Sequence, residues 1–352
     1  MSRSFKNFLG THFCKGVILV TKAHVLCTFD PSPEQLCLAR EMLGPLGEFS
    51  VLPRLQGDAR RKALEETSVL LCKSFAPGEI TPPEVGSLSR LEFVQLLFAG
   101  ADNVPFTRIP QHVTVASNAG GFAEPLAEHV LAMALALGKK LFPLHNRMRE
   151  GFFDSSEESL FFSGRVCGII GYGGNGRAMG RLFKALGMRV EGVNRRGEPD
   201  DICDAMGTLK DLVRMLPSWD LVLLTLPLTK ETRYVIDAGA LECMKDNAIF
   251  INVGRGALVD QEALYHHMKK HPEFLVGIDT WWSEPTHHGA FHLEHPFLEL
   301  PNLLASPHRA DHVKEMEIHP LRKALENVVA YLEGSSLKGL LRREEYLEVS
   351  GE

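Results

Sequence analysis

The stretch VCGIIGYGGNGRAMG, Val166 to Gly180, decides the fold. Five residues of strand character, Val166 to Ile170, run into Gly171, Gly173 and Gly176, and helix-like sequence continues to Gly187. Strand, glycine turn and helix in that order make one βα unit. In it the first glycine permits the tight turn, the second lets a pyrophosphate approach backbone N–H groups, and the third allows close helix packing. Alone, G-x-G-x-x-G is a weak signal that any tight glycine turn satisfies. What surrounds it supplies the test.

Downstream, strand-like runs at Met188 to Val193, Leu221 to Leu226, Ala248 to Asn252, Phe274 to Ile278 and Leu303 to Ala305 alternate with helical stretches near 208–216, 237–244 and 259–269. Upstream, VLCTF, SVLP, SVLLC and FVQLLF alternate with PEQLCLAREMLG and RRKALEE. Short apolar runs separated by helical spacing indicate parallel βα units. The expected fold is α/β, with two Rossmann-like domains of doubly wound parallel sheet and an active-site crevice between them, where strand carboxyl ends converge. The expected division is an N-terminal extension at 1–22, a substrate domain from 23–117 plus about 312–352, and a dinucleotide domain over 118–311. Ala123 to Lys140 is apolar nearly all round, with Pro125 in its first turn, and reads as a buried helix at the junction.

Composition narrows the function. With 352 residues, 45% of them hydrophobic, the chain is long enough for two cores. A net charge of -6 gives no global attraction to nucleic acid or anionic lipid, so neither is expected as a partner. Seven cysteines form an odd set without CxxC spacing and read as reduced thiols of a cytoplasmic protein. The run GVILV near the start is too short to span a membrane, and the basic stretch around it fits either an appended tail or an organellar transit peptide. His287, His288, His292 and His295 are irregularly spaced among prolines, with no cysteine, so no metal site is expected.

The end of the second strand of the glycine-turn domain reads VEGVNRRGEPD. A carboxylate about 20 residues beyond the glycines would hold the ribose diol of NAD. Asn194 stands there instead and does not repel a 2′-phosphate, while Arg195 or Arg196 can pair with one. The alternative is a solvated loop in which Asp200 and Asp201 cancel the two arginines. NADP(H) is slightly favoured over NAD(H).

Three polar residues follow strand ends: Arg255 in INVGRGALVD, Glu284 in GIDTWWSEP and His308 in SPHRA. In a wound sheet those ends share one crevice, so an arginine, a carboxylate and a histidine are brought together. With the glycine turn and LPLTKET, these motifs resemble the D-isomer-specific 2-hydroxyacid dehydrogenases, over roughly Leu97 to the last helix. The resemblance implies NAD(P)H-dependent reduction of a 2-oxoacid to a D-2-hydroxyacid. Arg255 then matches the arginine that faces the substrate carboxylate, His308 the proton donor, and Glu284 the carboxylate that keeps the imidazole protonated. Formate or phosphite dehydrogenation, and a dinucleotide-sensing or co-repressor-like role, are the alternatives on the same scaffold.

The cofactor set comprises Gly171, Tyr172, Gly173, Gly174, Asn175 and Gly176 of the turn, Asn194, Arg195 and Arg196, and Leu226, Pro227, Thr232 and Val253 along the crevice. The resemblance adds Asp279 as acceptor from the nicotinamide amide. On the substrate side it implies Ala99 and Gly100 in LLFAGADNV, with Phe75 and Ala76 as a second wall. Departures concern specificity. Phe122 puts an aromatic surface where the family has a polar contact, and Trp281 and Trp282 precede Glu284, one to wall the pocket and the other to pack or touch another subunit. Arg309 is expected to pair with Asp311. A homodimer is expected through the helix 123–140 and LFPLHNRMREGFF.

Overall fold

A computed structural model describes residues 22–346 apart from residues 77 and 286–288. The N-terminal extension up to residue 21 with its Cys14, and His287 and His288, lie outside the described residues.

Two all-parallel sheets form the frame. The smaller contains β1 (Ala23–Cys27), β2 (Gly47–Val51), β3 (Val69–Cys72), β4 (Phe93–Leu96) and β5 (Thr114–Ala116), in the order β2-β1-β3-β4-β5. The larger contains β6 (Val166–Ile170), β7 (Arg189–Val193), β8 (Ala205–Gly207), β9 (Leu221–Leu224), β10 (Ile249–Asn252), β11 (Leu275–Ile278) and β12 (Leu303–Ala305), in the order β12-β11-β10-β9-β6-β7-β8. Strand order reverses between β6 and β9, so the crevice of the larger sheet opens above the turn that follows β6. The smaller sheet reverses between β1 and β3, which is the flavodoxin-like variant of the wound fold. The central strands are buried on both faces, as helices covering a parallel sheet require.

The three-residue strands β5 and β8 have too little apolar run to be seen in the sequence. The last long helix begins at His319 rather than 312, because Lys314–Glu317 form a 3-10 turn and Pro320 occupies its first turn. Around 208–216 only Leu212–Met215 is α-helical, between two 3-10 turns. The junction helix stops at Gly138, and after Lys140 in the left-handed region (φ 53°) a second helix, Leu141–Arg149, follows.

Packing assigns each helix to a sheet. Ala127, Val130, Met133 and Ala134 of the helix Ala123–Gly138 are buried with Ile169, Met179, Ile249 and Ile251 of the larger sheet unit. Leu321, Ala324, Leu325 and Val328 of the helix His319–Leu332 are buried with Val25, Cys27, Leu38 and Val69 of the smaller one. The segments that cross between the sheets are tied to each other. Asn118 Nδ2 donates to Leu97 O at 3.0 Å and to Pro320 O at 2.8 Å, and Lys323 Nζ donates to Gly120 O at 2.8 Å. The described cysteines are free thiols; burial pushes Cys27 up to about 12 and Cys203 to about 11, away from reactivity. Among the described residues no helix is long and apolar enough to cross a membrane.

Candidate active site

The glycine turn closes as the strand-turn-helix order requires. Gly171 has φ 102°, and a Cβ there would lie 2.8 Å from Leu226 N, so both the conformation and the neighbour exclude a side chain. Gly173 is the N-cap of the helix Gly174–Ala185 and has nothing within 4 Å on its Cβ side. The first amides of that helix have no intrahelical acceptor, and the dipole adds positive potential there. Asn175 Oδ1 is buried without a partner in the same first turn. An open glycine, orphan amides and an unpaired side-chain oxygen suit a dinucleotide pyrophosphate and ribose. Gly174 abuts Gly120 of the crossing segment, where a Cβ would lie 2.8 Å from Gly120 Cα, so this turn faces the domain junction.

Other expected cofactor residues contribute differently. Tyr172 does not point its ring into the crevice; the ring is buried beneath Gly192, and its hydroxyl donates to Asp200 at 3.1 Å. Val253 is likewise buried in the core of the larger sheet. Thr232 spends its hydroxyl on the turn itself, accepting from Thr229 N at 2.8 Å and donating to Pro227 O at 2.7 Å, while Pro227 is exposed and Leu226 half-buried. Asn194 Oδ1 accepts from the amides of Arg196 and Gly197, which shapes the loop after β7. Asp200 and Asp201 are not the partners of Arg195 and Arg196, because Arg177 takes both carboxylates. Arg195 instead pairs with Glu345, and Arg196 makes no ion pair among the described residues.

Arg255 follows β10 and turns toward the smaller sheet. Its Nε donates to both carboxylate oxygens of Asp102 at 3.1 Å, its Nη1 donates to Gly254 O at 2.8 Å, and its own carbonyl accepts from Asn252 Nδ2 at 2.9 Å. A Cβ on Gly100 would collide with its Nη2, so the backbone at Gly100 is pressed against the guanidinium. Asp102 carries no sequence signal of its own beyond its place in LLFAGADNV. It is the partner that sequence reading missed.

His308 stands in the left-handed region (φ 48°) just after β12. Its Nδ1 lies 2.6 Å from Glu284 Oε2, and Glu284 Oε1 accepts from the Trp281 amide at 2.7 Å. The Glu284 hydrogen bond raises the imidazole pKa above its usual value against the opposing effect of burial. Burial pushes Glu284 up, but the bonds from His308 and the Trp281 amide outweigh it and hold the carboxyl below its usual range. The His308 loop is clamped from beneath by Asp279. That buried carboxylate accepts from Ser306 Oγ at 2.5 Å, Arg309 N at 3.0 Å and Ala310 N at 3.1 Å, and His129 Nε2 reaches Ser306 Oγ at 3.1 Å. Arg309 does not pair with Asp311, whose carboxylate meets His312 at 3.1 Å; Arg309 is exposed and makes no ion pair among the described residues.

The aromatic expectations divide. Both tryptophans are held by core contacts, Trp281 buried and Trp282 half-buried. Trp282 stacks on Phe297 in the core and donates to Val259 O at 2.8 Å, and buried Trp281 donates to Ser306 O at 2.8 Å with its ring edge-on to Phe291. Phe75 is core as well, buried in the smaller domain at φ 60°, and Ser74 and Ala76 form a tight loop around Glu79 and Ile80. Phe122 does lie at the junction, at the start of the helix Ala123–Gly138, tilted against the half-exposed Phe98 with centroids 6.1 Å apart. Phe98, two residues before Gly100, went unnoticed in the sequence.

Comparison with known proteins agrees with this geometry. Residues 131–310 match the family model described as D-isomer specific 2-hydroxyacid dehydrogenase, NAD binding domain. A glyoxylate reductase of Aeropyrum pernix is 30% identical over 270 residues, 72% of this chain and 77% of that protein. A D-3-phosphoglycerate dehydrogenase of Methanocaldococcus jannaschii is 25% identical over 87% of this chain, which spans 56% of that longer protein. The solved structure of a D-isomer specific 2-hydroxyacid dehydrogenase from Xanthobacter autotrophicus, in complex with NADPH and MES, shares the fold with a TM-score of 0.76, at 21% identity and coverage of 92% of this chain and 100% of that one. From the glycine turn to the His308 loop the matched region carries the larger sheet and its polar strand ends, and the protein belongs to the D-isomer specific 2-hydroxyacid dehydrogenase family of NAD(P)-dependent oxidoreductases.

Proposed function

We propose that the protein reduces a 2-oxoacid to a D-2-hydroxyacid, reversibly, with NADP(H) slightly ahead of NAD(H). The observation that carries this reading is the His308–Glu284 pair at 2.6 Å beside an arginine anchored by Asp102. The nicotinamide supplies the hydride when it is bound. Arg255 offers a fixed cation to the substrate carboxylate and the carbonyl oxygen that gains charge. His308 has Nδ1 committed to Glu284, so Nε2 is the atom that gives its proton to that oxygen, and Glu284 stabilises the imidazolium beforehand. The loop held by Asp279 keeps the imidazole in position. NADP(H) is favoured by Arg196, which has no carboxylate partner among the described residues, and by the absence of an acid at Asn194.

Glyoxylate, hydroxypyruvate, pyruvate and larger aromatic or branched 2-oxoacids, each followed by NADPH or NADH absorbance, test the reading. Turnover of at least one at a steady rate is expected. Cofactor binding without turnover of any would favour a dinucleotide sensor.

The protein further acts as a homodimer in this reading. Phe153 is 84% exposed and Phe161 72% exposed, and Leu141, Phe142, Met148 and Phe152 of the same stretch are exposed as well, a concentration of apolar side chains that supports a covering partner. A neighbouring hollow lined by Leu137, Phe142, Leu275, Leu303 and Leu304 continues it beside β12, the edge of the larger sheet. A second copy of the same chain is the occupant that covers both.

A further inference from the structure

The last described segment, residues 339–346, crosses from one domain to the other. On the smaller domain it adds to the free edge of β5: Ser117 N donates to Gly339 O at 2.8 Å, Leu341 N to Val115 O at 2.9 Å, and Leu340 bridges Ala116 in the antiparallel sense. Arg343 then spreads its guanidinium over three backbone carbonyls, of Ile109 at 2.7 Å, Pro110 at 2.7 Å and Val113 at 2.6 Å. Tyr346 is buried in the smaller domain's core, stacked on Phe106 with centroids 5.3 Å apart. Between these anchors Glu345 faces the larger domain. Its carbonyl accepts from Lys230 N at 3.0 Å in the loop after β9, and its carboxylate pairs with Arg195 after β7. Arg342, at 3.8 Å, is its other cationic neighbour among the described residues.

The consequence concerns the adenosine end of the cofactor crevice. A carboxylate at the end of β7 is what usually holds the ribose diol and repels a 2′-phosphate, and this chain has Asn194 there. The arm brings a carboxylate to the very next residue from 150 positions away. Glu345 is held by its backbone at Lys230, so its side chain is delivered to Arg195 by the fold and not by a wandering tail.

We propose that Glu345 is a cofactor-selectivity residue: by occupying Arg195 it supplies from the C-terminal arm the negative charge missing at Asn194, and it weakens binding of a 2′-phosphorylated cofactor. A 2′-phosphate must displace Glu345 to use Arg195, and it meets like charge if it does not. Arg196 remains as the cation that favours NADP(H). Two opposed contributions leave a small preference, which is why this inference rests on the mixed NADP(H)/NAD(H) reading above and sharpens it.

The test isolates the adenosine end with adenosine 2′,5′-bisphosphate and 5′-AMP, titrated calorimetrically into the full-length protein at one ionic strength. Glu345→Gln keeps the backbone bond to Lys230 and removes the charge. It is expected to tighten the bisphosphate about three- to tenfold, the range of one partly exposed charge-assisted contact, with 5′-AMP changed by less than about twofold. In an Arg195→Gln background the same change is expected to give a smaller gain for the bisphosphate, because only the like-charge repulsion is then relieved. No tightening in the native background, equal tightening of both nucleotides, or a gain undiminished without Arg195 would each overturn the proposal. Arg196→Gln, measured with NADPH and NADH, addresses the NADP(H) preference separately. If NADPH binds no better than NADH in the unmodified protein and Arg196→Gln moves neither, that preference fails whatever Glu345 does.

Discussion

Arg255 and Asp102 come from different domains, 153 residues apart, and meet with Nε 3.1 Å from both carboxylate oxygens. The pair fixes the direction of the guanidinium, because Nη1 is also held by Gly254 O and Nη2 is pressed against Gly100. Asp102→Asn keeps the size and loses the charge. It is expected to lower kcat/KM for the 2-oxoacid by about tenfold or more, with NADPH affinity held within about twofold, since only the cation proposed to face the substrate is loosened. Steady-state kinetics and a fluorescence titration of NADPH check this. An equal loss in cofactor affinity would show that Asp102 acts by holding the domains together instead.

With His308 as the proposed proton donor, its pairing with Glu284 is expected to set the pH range of reduction. The imidazole pKa is raised, so the protonated form needed for reduction persists above the usual histidine range and is lost only as pH rises through the raised value. Glu284→Gln removes the largest cause of that shift, so the alkaline limb of the reduction profile is expected to move to lower pH. The oxidation profile, which needs neutral imidazole, is expected to extend to lower pH by the same change. A limb that stays in place would assign it to another group. His308→Gln is expected to cut turnover by about a hundredfold or more while NADPH affinity is kept, the scale of a lost general acid.

Two glycines of one motif are expected to fail in different ways. Gly173 has open space on its Cβ side, so Gly173→Val should fold with little change in Tm yet lose dinucleotide binding, because the added methyls stand where the backbone must meet a pyrophosphate. Gly171 has φ 102° and a neighbour at 2.8 Å, so Gly171→Ala is expected to cost about 1–3 kcal/mol of stability as well. Thermal melts with and without NADPH separate the two. A Gly173→Val protein that still gains Tm from NADPH would remove the turn from the cofactor site.

The exposed phenylalanines make the assembly state measurable. Sedimentation of the unmodified protein at micromolar concentration is expected to give a dimer, and Phe153→Asp with Phe161→Asp a monomer, since two buried carboxylates facing an apolar partner surface are strongly unfavourable. A monomer before any substitution would leave that surface to another partner.

Much of the larger domain was legible because its signals are local. A parallel strand buried on both faces is a short apolar run, and the glycines needed between β6 and the following helix stand next to one another in the chain. The position of Arg255, Glu284 and His308 followed from the same logic, since each comes just after a strand whose carboxyl end opens on the crevice. β5, reading TVA, and β8, reading AMG, escaped because they lack the run of large aliphatic residues that marked the equally short β12, LLA. The aromatic residues misled for a related cause. Composition says that a tryptophan or phenylalanine is large, but which side of the loop it covers is set by the core beneath, and Trp282 and Phe75 found partners there.

What the sequence alone determined is therefore the order of βα units, the glycine turn and the three residues at strand ends. The tertiary structure decided who meets them. Asp102 on Arg255 and Glu345 on Arg195 join residues 153 and 150 positions apart. Side-chain periodicity encodes which face of an element is buried, whereas an ion pair across a crevice depends on how two domains are set against each other, and no local pattern carries that relation.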